Sequence, residues 1–110
     1  MIKTKNKKPS KSVESHLQPG PLDHTFTALI GVDVKGELWP CVEMPRSAEL
    51  FGTKKAVRVD ATVEGIELPN IGLMVTGRGG QMLSLSAKLR KQLGKDIGDE
   101  VTVRLTRRLT

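Results

Sequence analysis

The glycine-rich stretch Gly77-Arg78-Gly79-Gly80 is the part of the sequence whose residue types could most directly bind a ligand. Bare backbone amides beside a guanidinium can hold a phosphate or a carboxylate. The stretch lacks the Gly-Lys-Ser/Thr ending of a nucleotide-binding P-loop, and the residues after it alternate like a strand rather than a helix. A hairpin turn with Arg78 in solvent is therefore the favoured interpretation, and an anion cradle is the alternative.

Four further cations follow this stretch and are candidates for the same kind of contact. They are Lys88, Arg90, Lys91 and Arg104. Residues 68–110 contain eight basic and three acidic residues, a net charge of +5, whereas residues 25–67 have a net charge of −2. If the second half presents one surface, phosphates or carboxylates of a partner are the groups that it would attract.

Residue types for acid–base, nucleophilic or metal chemistry are scarce. His16 and His24 lie in a segment without hydrophobic periodicity, where a general base would not be held in position. Cys41 has no neighbouring histidine to activate it, so a core or edge cysteine is predicted. Asp33 and Glu43 are predicted to be solvated strand residues rather than a catalytic pair. The sequence therefore predicts no catalytic residue, no metal site and no cofactor.

Trp39 is the only tryptophan in the chain. An exposed tryptophan would mark a contact site, and burial against the edge of a sheet is the favoured alternative. A pocket near Trp39 and residues 77–80 is the second hypothesis for a ligand site.

The basic candidates are positioned by residues 82–105, which predict a strand, a short helix, a Gly-Asp turn and a second strand. Ser86 is placed to cap the helix, and Gly94 to end it in the left-handed conformation. The last part alternates apolar and polar residues, as a strand with one solvated face does. Its apolar positions are Val101, Val103 and Leu105.

Residues 38–63 are a looser copy of this unit. Phe51-Gly52 matches Leu93-Gly94 at an offset of 42 residues. Pro45 opens the predicted helix, where its missing amide costs nothing. Neither unit alone has enough apolar surface to form a core, so the repeat predicts a small closed β-barrel with a pseudo-twofold axis.

The remaining segments complete this prediction. Residues 26–34 alternate and predict the first strand, with a turn at Lys35-Gly36. Residues 38–44 predict the second strand, in which Pro40 indicates an edge or a bulge. Residues 1–24 carry five lysines and no periodicity, so they are predicted to be a disordered basic tail, either an electrostatic arm or a solubilising leader. The barrel domain is predicted over residues 25–110.

Composition sets the broad class. The chain has 110 residues, 37% hydrophobic and 3% aromatic, with a net charge of +6, which indicates one domain with an aliphatic core. A single cysteine excludes an internal disulfide and fits a reducing compartment. No apolar run is long enough to span a membrane, and the lysines near the N-terminus are not followed by the apolar segment of a secretory signal. A cytoplasmic protein is expected.

Two family resemblances support a barrel. Residues 83–105 resemble the repeat of the AbrB and MazE-like regulators and antitoxins, in which an apolar strand precedes a short basic helix, a glycine, a Gly-Asp turn and an alternating strand. Residues 26–109 more closely resemble a small bacterial family known only as a domain of unknown function, some of whose members precede a YdeI-like bacteriocin-protection domain. The matching residues are Trp39, Met44-Pro45, Phe51-Gly52, Val63-Glu64-Gly65, Gly77 to Gly80, Leu89-Arg90 and Gly98-Asp99. The resemblance implies a double-split β-barrel within one chain and no known catalytic residue, whereas DNA binding belongs to the more distant regulators.

These observations predict a mainly β protein that acts by binding rather than by catalysis. The expected partner is anionic, either nucleic acid or an acidic protein, contacted through the basic second half. The residues predicted to contact it are Arg78, Lys88, Arg90, Lys91, Arg104 and Trp39. The alternative is a small-molecule-binding or enzymatic domain that uses the pocket near Trp39 and residues 77–80. A monomer is expected, because both halves of the barrel lie in one chain.

Overall fold

The computed structural model of the protein describes residues 17–110, so most of the predicted basic tail lies outside the described residues. Within this range the chain forms eight strands and two short helices. In chain order they are β1 (Gly20–Leu29), β2 (Val32–Val34), β3 (Glu37–Trp39), β4 (Cys41–Glu43), α1 (Ser47–Phe51), β5 (Val57–Val63), β6 (Ile66–Val75), β7 (Gln81–Ser84), α2 (Ala87–Leu93) and β8 (Glu100–Arg108). The prediction of a mainly β protein is confirmed.

Six of the strands form one curled antiparallel sheet. Their order is β1-β8-β5-β6-β7-β4, and β2 and β3 form a separate hairpin. Strand β8 pairs with β1 on one side and with β5 on the other. Its Val103 lies opposite Phe26 of β1 and Val63 of β5. Strands β1 and β4 are the two edges of the sheet.

The prediction of a closed barrel was wrong, because the sheet remains open between β1 and β4. Gly31, with a φ of 134°, turns the chain out of β1, and Pro40 has no amide with which to continue the ladder from β3 into β4. Between them the chain pairs with itself as the β2–β3 hairpin. One backbone hydrogen bond, from Gly31 N to Cys41 O at 2.7 Å, links the end of β1 to β4.

The individual strands follow the predicted alternation. Val57, Val59, Ala61 and Val63 of β5 are buried, and so are Val101, Val103 and Leu105 of β8. The first strand begins at Gly20, five residues before the predicted start of the domain. It ends at Leu29 rather than at Val34, because the bend at Gly31 divides the predicted strand into β1 and β2.

The core lies on the concave side of the sheet and consists mainly of aliphatic side chains. The larger cluster joins residues of β4, β5 and β8 to Phe51 of α1 and Leu89 of α2. A smaller cluster holds Val32, Cys41 and Met82 beneath the β2–β3 hairpin. Each helix therefore contributes one buried apolar side chain to the core, Phe51 from α1 and Leu89 from α2.

Both helices end at a glycine in the left-handed conformation, Gly52 with φ 70° and Gly94 with φ 70°. Ser86 caps α2 as predicted, and its Oγ accepts a hydrogen bond from Leu89 N at 3.1 Å. Within residues 17–110 no helix has the length and apolarity needed to cross a membrane.

Candidate functional site

The surface of α2 carries two exposed residues of the predicted basic set. Lys88 and Lys91 are exposed, and neither has an acidic side chain within ion-pair distance in the described part of the chain. Residues three apart in a helix lie on the same face, so the two ammonium groups project together. Lys95 follows one turn later, and its Nζ donates to Glu100 O at 2.7 Å. The three lysines, Lys88, Lys91 and Lys95, are called the α2 lysines below.

Arg90 of the same helix faces the protein rather than the solvent. Its Nη1 donates to Leu85 O, and its Nε lies 3.1 Å from Asp96 Oδ1. The side chain is 19% exposed, against 72% for Asp96. Arg90 thus ties α2 to the loop that follows it. A shallow groove of about 480 Å³ lies here, bordered by Ala87, Arg90, Lys91, Gly94, Lys95, Asp96 and Asp99.

Arg104 lies on another part of the surface. It projects from the outer face of β8, and its Nε donates to Asp23 Oδ1 of β1 at 2.9 Å. It does not border the groove beside α2. Lys88, Arg90 and Lys91 therefore share one helix, whereas Arg104 lies on β8.

In the glycine-rich turn after β6, a threonine hydroxyl accepts hydrogen bonds from the backbone amides of the turn. Thr76 Oγ1 accepts hydrogen bonds from Arg78 N at 3.1 Å and Gly80 N at 3.3 Å, while Thr76 N donates to Gly80 O at 3.0 Å. The positive φ angles of Gly77 (86°) and Gly79 (92°) allow the turn to fold back in this way. Two of the amides that could have formed an anion cradle are therefore already occupied.

The guanidinium of Arg78 is held by two neighbours. Its Nη2 donates to Glu43 Oε1 at 3.0 Å, and its Nη1 donates to the backbone carbonyl of Asp33 at 2.8 Å. The side chain is still 51% exposed. Arg78 thus links the turn to β4 and to β2. Glu43 is the ion-pair partner of Arg78, and it does not form a carboxylate pair with Asp33.

A groove of about 410 Å³ runs between this turn and α1. Its borders are Glu43, Met44, Pro45, Arg46, Ser47, Ala48, Glu49, Arg78, Gly79 and Gly80. Arg46 has a left-handed backbone (φ 55°, ψ 33°), and its Nε donates to Glu49 Oε1 at 2.6 Å. That hydrogen bond and the charge of Glu49 raise the pKa of Arg46. Two ion pairs, Arg78–Glu43 and Arg46–Glu49, therefore border the groove, which is called the turn groove below.

Trp39 does not border the turn groove. It is half-buried, packs against the cluster of Val32, Cys41 and Met82, and its Nε1 donates to Glu37 Oε1 at 3.2 Å. Trp39 therefore covers one end of the core, and the glycine-rich turn faces α1 instead.

Comparison with known protein families assigns the chain on the basis of residues 26–105. These residues match a domain of unknown function, DUF1905. The chain belongs to this family. The matched range contains both grooves and all of the α2 lysines. Comparison with curated proteins found no match.

The DUF1905 domain contains a buried amide that the sequence did not indicate. Gln81 is 0% exposed, and its Nε2 donates to Thr53 O and Lys55 O, each at 2.8 Å. Its backbone N donates to Ser47 Oγ at 2.8 Å. Gln81 begins β7 one residue before the strand predicted from Met82 onward, so its partners could not be inferred from the sequence.

Two further buried groups of the DUF1905 domain have shifted pKa values. Burial raises the pKa of the Cys41 thiol, which opposes formation of the reactive thiolate. Burial lowers the pKa of Arg108, whose guanidinium lies 5.3 Å from the centre of the Phe51 ring and donates from Nη1 to Phe51 O at 2.9 Å. Both groups are buried, and neither borders the turn groove or the groove beside α2.

Proposed function

We propose that this DUF1905 domain is a non-enzymatic binding module that contacts an anionic polymer, nucleic acid in the first place, through the α2 lysines. The observation that supports this most is the exposure of Lys88 and Lys91 without an acidic partner in residues 17–110. Unpaired ammonium groups on one helical face can replace the counterions of a phosphate backbone. The surrounding half of the chain has a net charge of +5, which adds long-range attraction.

The other predicted contacts have weaker support. Arg90 and Arg104 have acidic partners at 3.1 and 2.9 Å, and Arg78 has one at 3.0 Å. A phosphate would have to compete with those carboxylates, so we assign these arginines a supporting role at most. An acidic protein remains the alternative partner for the same lysines.

The test is the salt dependence of binding by the full chain. We expect duplex and single-stranded oligonucleotides to bind at low ionic strength, with an affinity that falls as salt is raised. The double variant Lys88→Gln/Lys91→Gln should reduce the slope of log K against log salt by about two, because each lost phosphate contact removes about 0.9.

The matched control is Lys54→Gln/Lys55→Gln, which makes the same charge change in the exposed loop before β5. Its slope should change by much less than that of the α2 variant. Equal effects from both variants would mean that only net charge matters, and no binding to either kind of oligonucleotide at low salt would refute the proposal.

We also propose that β4-α1-β5 and β7-α2-β8 are related by an approximate twofold axis within a monomer. Both units have the same element order and a left-handed glycine after the helix. The equivalent strands pair with each other in antiparallel fashion, β5 with β8 and β4 with β7, as a twofold axis requires. This arrangement supports the resemblance to the AbrB-like regulators, from which DNA binding is a fold-level analogy. The single buried cysteine is compatible with a reducing, cytoplasmic location.

A further inference from the structure

Three side-chain oxygens lie close to Gly80, and two of them belong to Glu43 and Ser47, which border the turn groove. A Cβ atom at this glycine would lie 3.5 Å from Glu43 Oε2, 3.5 Å from Ser47 Oγ and 3.8 Å from Thr76 Oγ1. The three heavy atoms nearest to the space that a methyl group would fill are therefore all oxygen atoms. A small hollow of this kind suits a polar group that can make several hydrogen bonds.

The hydrogen-bonding capacity of these oxygens is only partly used. Ser47 Oγ accepts from Gln81 N, and Thr76 Oγ1 accepts from two amides of the turn. Ser47 is 1% exposed and Thr76 5% exposed, yet neither hydroxyl proton is donated to an acceptor within residues 17–110. Because a buried donor without an acceptor costs free energy, the two hydroxyls favour a bound acceptor.

Glu43 supplies a hydrogen-bond acceptor beside these donors. Its Oε1 is held by Arg78, whereas its Oε2 is the oxygen that faces Gly80. The hollow thus offers two donors and one acceptor within the reach of a single small group. A carboxylate would accept from the hydroxyls but would be repelled by Glu43, and an ammonium would leave both hydroxyl protons unused. A carboxamide fits both requirements, since its oxygen accepts and its nitrogen donates.

The mouth of the turn groove is electrically balanced. Arg46 and Glu49 form an exposed pair there, and the Arg46 guanidinium has donors beyond the one that it gives to Glu49. Together with Arg78 and Glu43, the groove carries two positive and two negative side chains. A ligand with no net charge is therefore favoured over a polyanion.

We propose that the turn groove binds a small polar ligand without net charge through a carboxamide group seated at Gly80. The carboxamide oxygen accepts from the Ser47 and Thr76 hydroxyls, and its N–H donates to Glu43 Oε2. A zwitterionic amino acid backbone outside the hollow then meets Arg46 and Glu49. This site is separate from the α2 lysines and does not depend on binding to nucleic acid.

The test compares L-asparagine and L-glutamine with L-aspartate and L-glutamate as probes of the full chain. Each pair has nearly the same shape and differs in carboxamide against carboxylate. We expect the amides to shift the backbone NMR signals of Ser47, Gly79, Gly80 and Gln81 with an affinity at least tenfold higher than that of the acids, about the effect of one hydrogen bond to a charged group. Equal shifts from amide and acid, or shifts that map elsewhere, would overturn the proposal.

Gly80→Ala is the decisive variant, because the added methyl fits at ordinary contact distance and fills the hollow. Gly80 has no positive φ, so the backbone tolerates the change. The variant should remain folded and lose at least tenfold in affinity for L-asparagine. Gly72→Ala is the matched control at a second glycine without positive φ, where the nearest atom is the flexible tip of Arg58 at 3.1 Å.

Two more results separate this proposal from the one above. Lys88→Gln/Lys91→Gln should bind L-asparagine as the unaltered chain does. Glu43→Gln should weaken binding of L-asparagine, and Glu37→Gln on β3 should not. If a crystal structure grown with a saturating amount of the amide showed only water at Gly80, the hollow would be a hydration site and the proposal would fail.

Discussion

Gln81 shows how a single buried side chain can hold a loop in place. Its side-chain amide gives both of its protons to the carbonyls of Thr53 and Lys55, and its backbone amide is bound to Ser47. These hydrogen bonds therefore hold the segment between α1 and β5 in place. Gln81 Oε1 accepts no hydrogen bond from the described residues, so the site depends on its donors.

We expect Gln81→Leu to lower the free energy of unfolding by about 2–3 kcal/mol, because the carbonyls of Thr53 and Lys55 lose their donor. Chemical denaturation measures this, with Gln92→Leu on the exposed side of α2 as the matched control. The control should stay within about 0.5 kcal/mol of the unaltered chain. A Gln81→Leu protein as stable as the control would show that the two hydrogen bonds contribute nothing.

At the scale of the element, α2 is the part of the fold that depends most on local signals. Ser86 Oγ accepts from Leu89 N, and Gly94 N donates to Lys91 O in the left-handed C-cap. We expect Ser86→Ala to destabilise the protein by about 1 kcal/mol, since one amide of the first turn loses its acceptor. Ser86→Asp keeps an acceptor at the same position and should recover most of the loss in thermal unfolding. If both variants unfold at the same temperature, the cap is not the source of the stability.

These local signals explain which elements could be predicted from the sequence. The alternation in β5 and β8 and the caps of α2 are encoded within a few residues, so they were predicted correctly. Pro69 has no amide for a strand ladder and would be expected to interrupt a strand, yet β6 continues through residues 67–70. The reason is a bulge at Asn70 (φ 52°), whose amide is bound by Asp60 Oδ1 at 2.8 Å and whose carbonyl is bound by Arg58 Nη2 at 2.7 Å. These hydrogen bonds come from residues of a neighbouring strand, so no local sequence pattern predicts them.

The candidate site was predictable to a similar degree. The exposed positions of Lys88 and Lys91 follow from helical spacing around Leu89, whereas the inward turn of Arg90 depends on Asp96 in the next loop. The importance of the glycine-rich turn was also evident, but its occupation by Thr76 depends on how Gly77 and Gly79 bend the chain. Spatial neighbours that are distant in sequence, such as Ser47 and Glu43 at Gly80, required the structure.

At the scale of the whole molecule, the open sheet gives the strands unequal support. Strands β8 and β5 are paired on both sides, whereas β4 is paired only with β7, and the β2–β3 hairpin only with itself. A closed barrel would have given every strand two neighbours. The position of a strand in the sheet should therefore determine how easily it opens.

Native-state hydrogen exchange measures this difference directly. We expect the amides of β8 and β5 to exchange only by global unfolding, with protection close to the full stability of the domain, about 5–15 kcal/mol. The amides of β4 and of the β2–β3 hairpin should exchange by local opening, with protection lower by at least 1–2 kcal/mol. Because β4 also carries Glu43, its opening would release the carboxylate that Arg78 holds at 3.0 Å, so a ligand seated at Gly80 should slow exchange in β4 more than in β8. Equal protection of β4 and β8 in the free protein would instead indicate that β1 and β4 close the ring in solution.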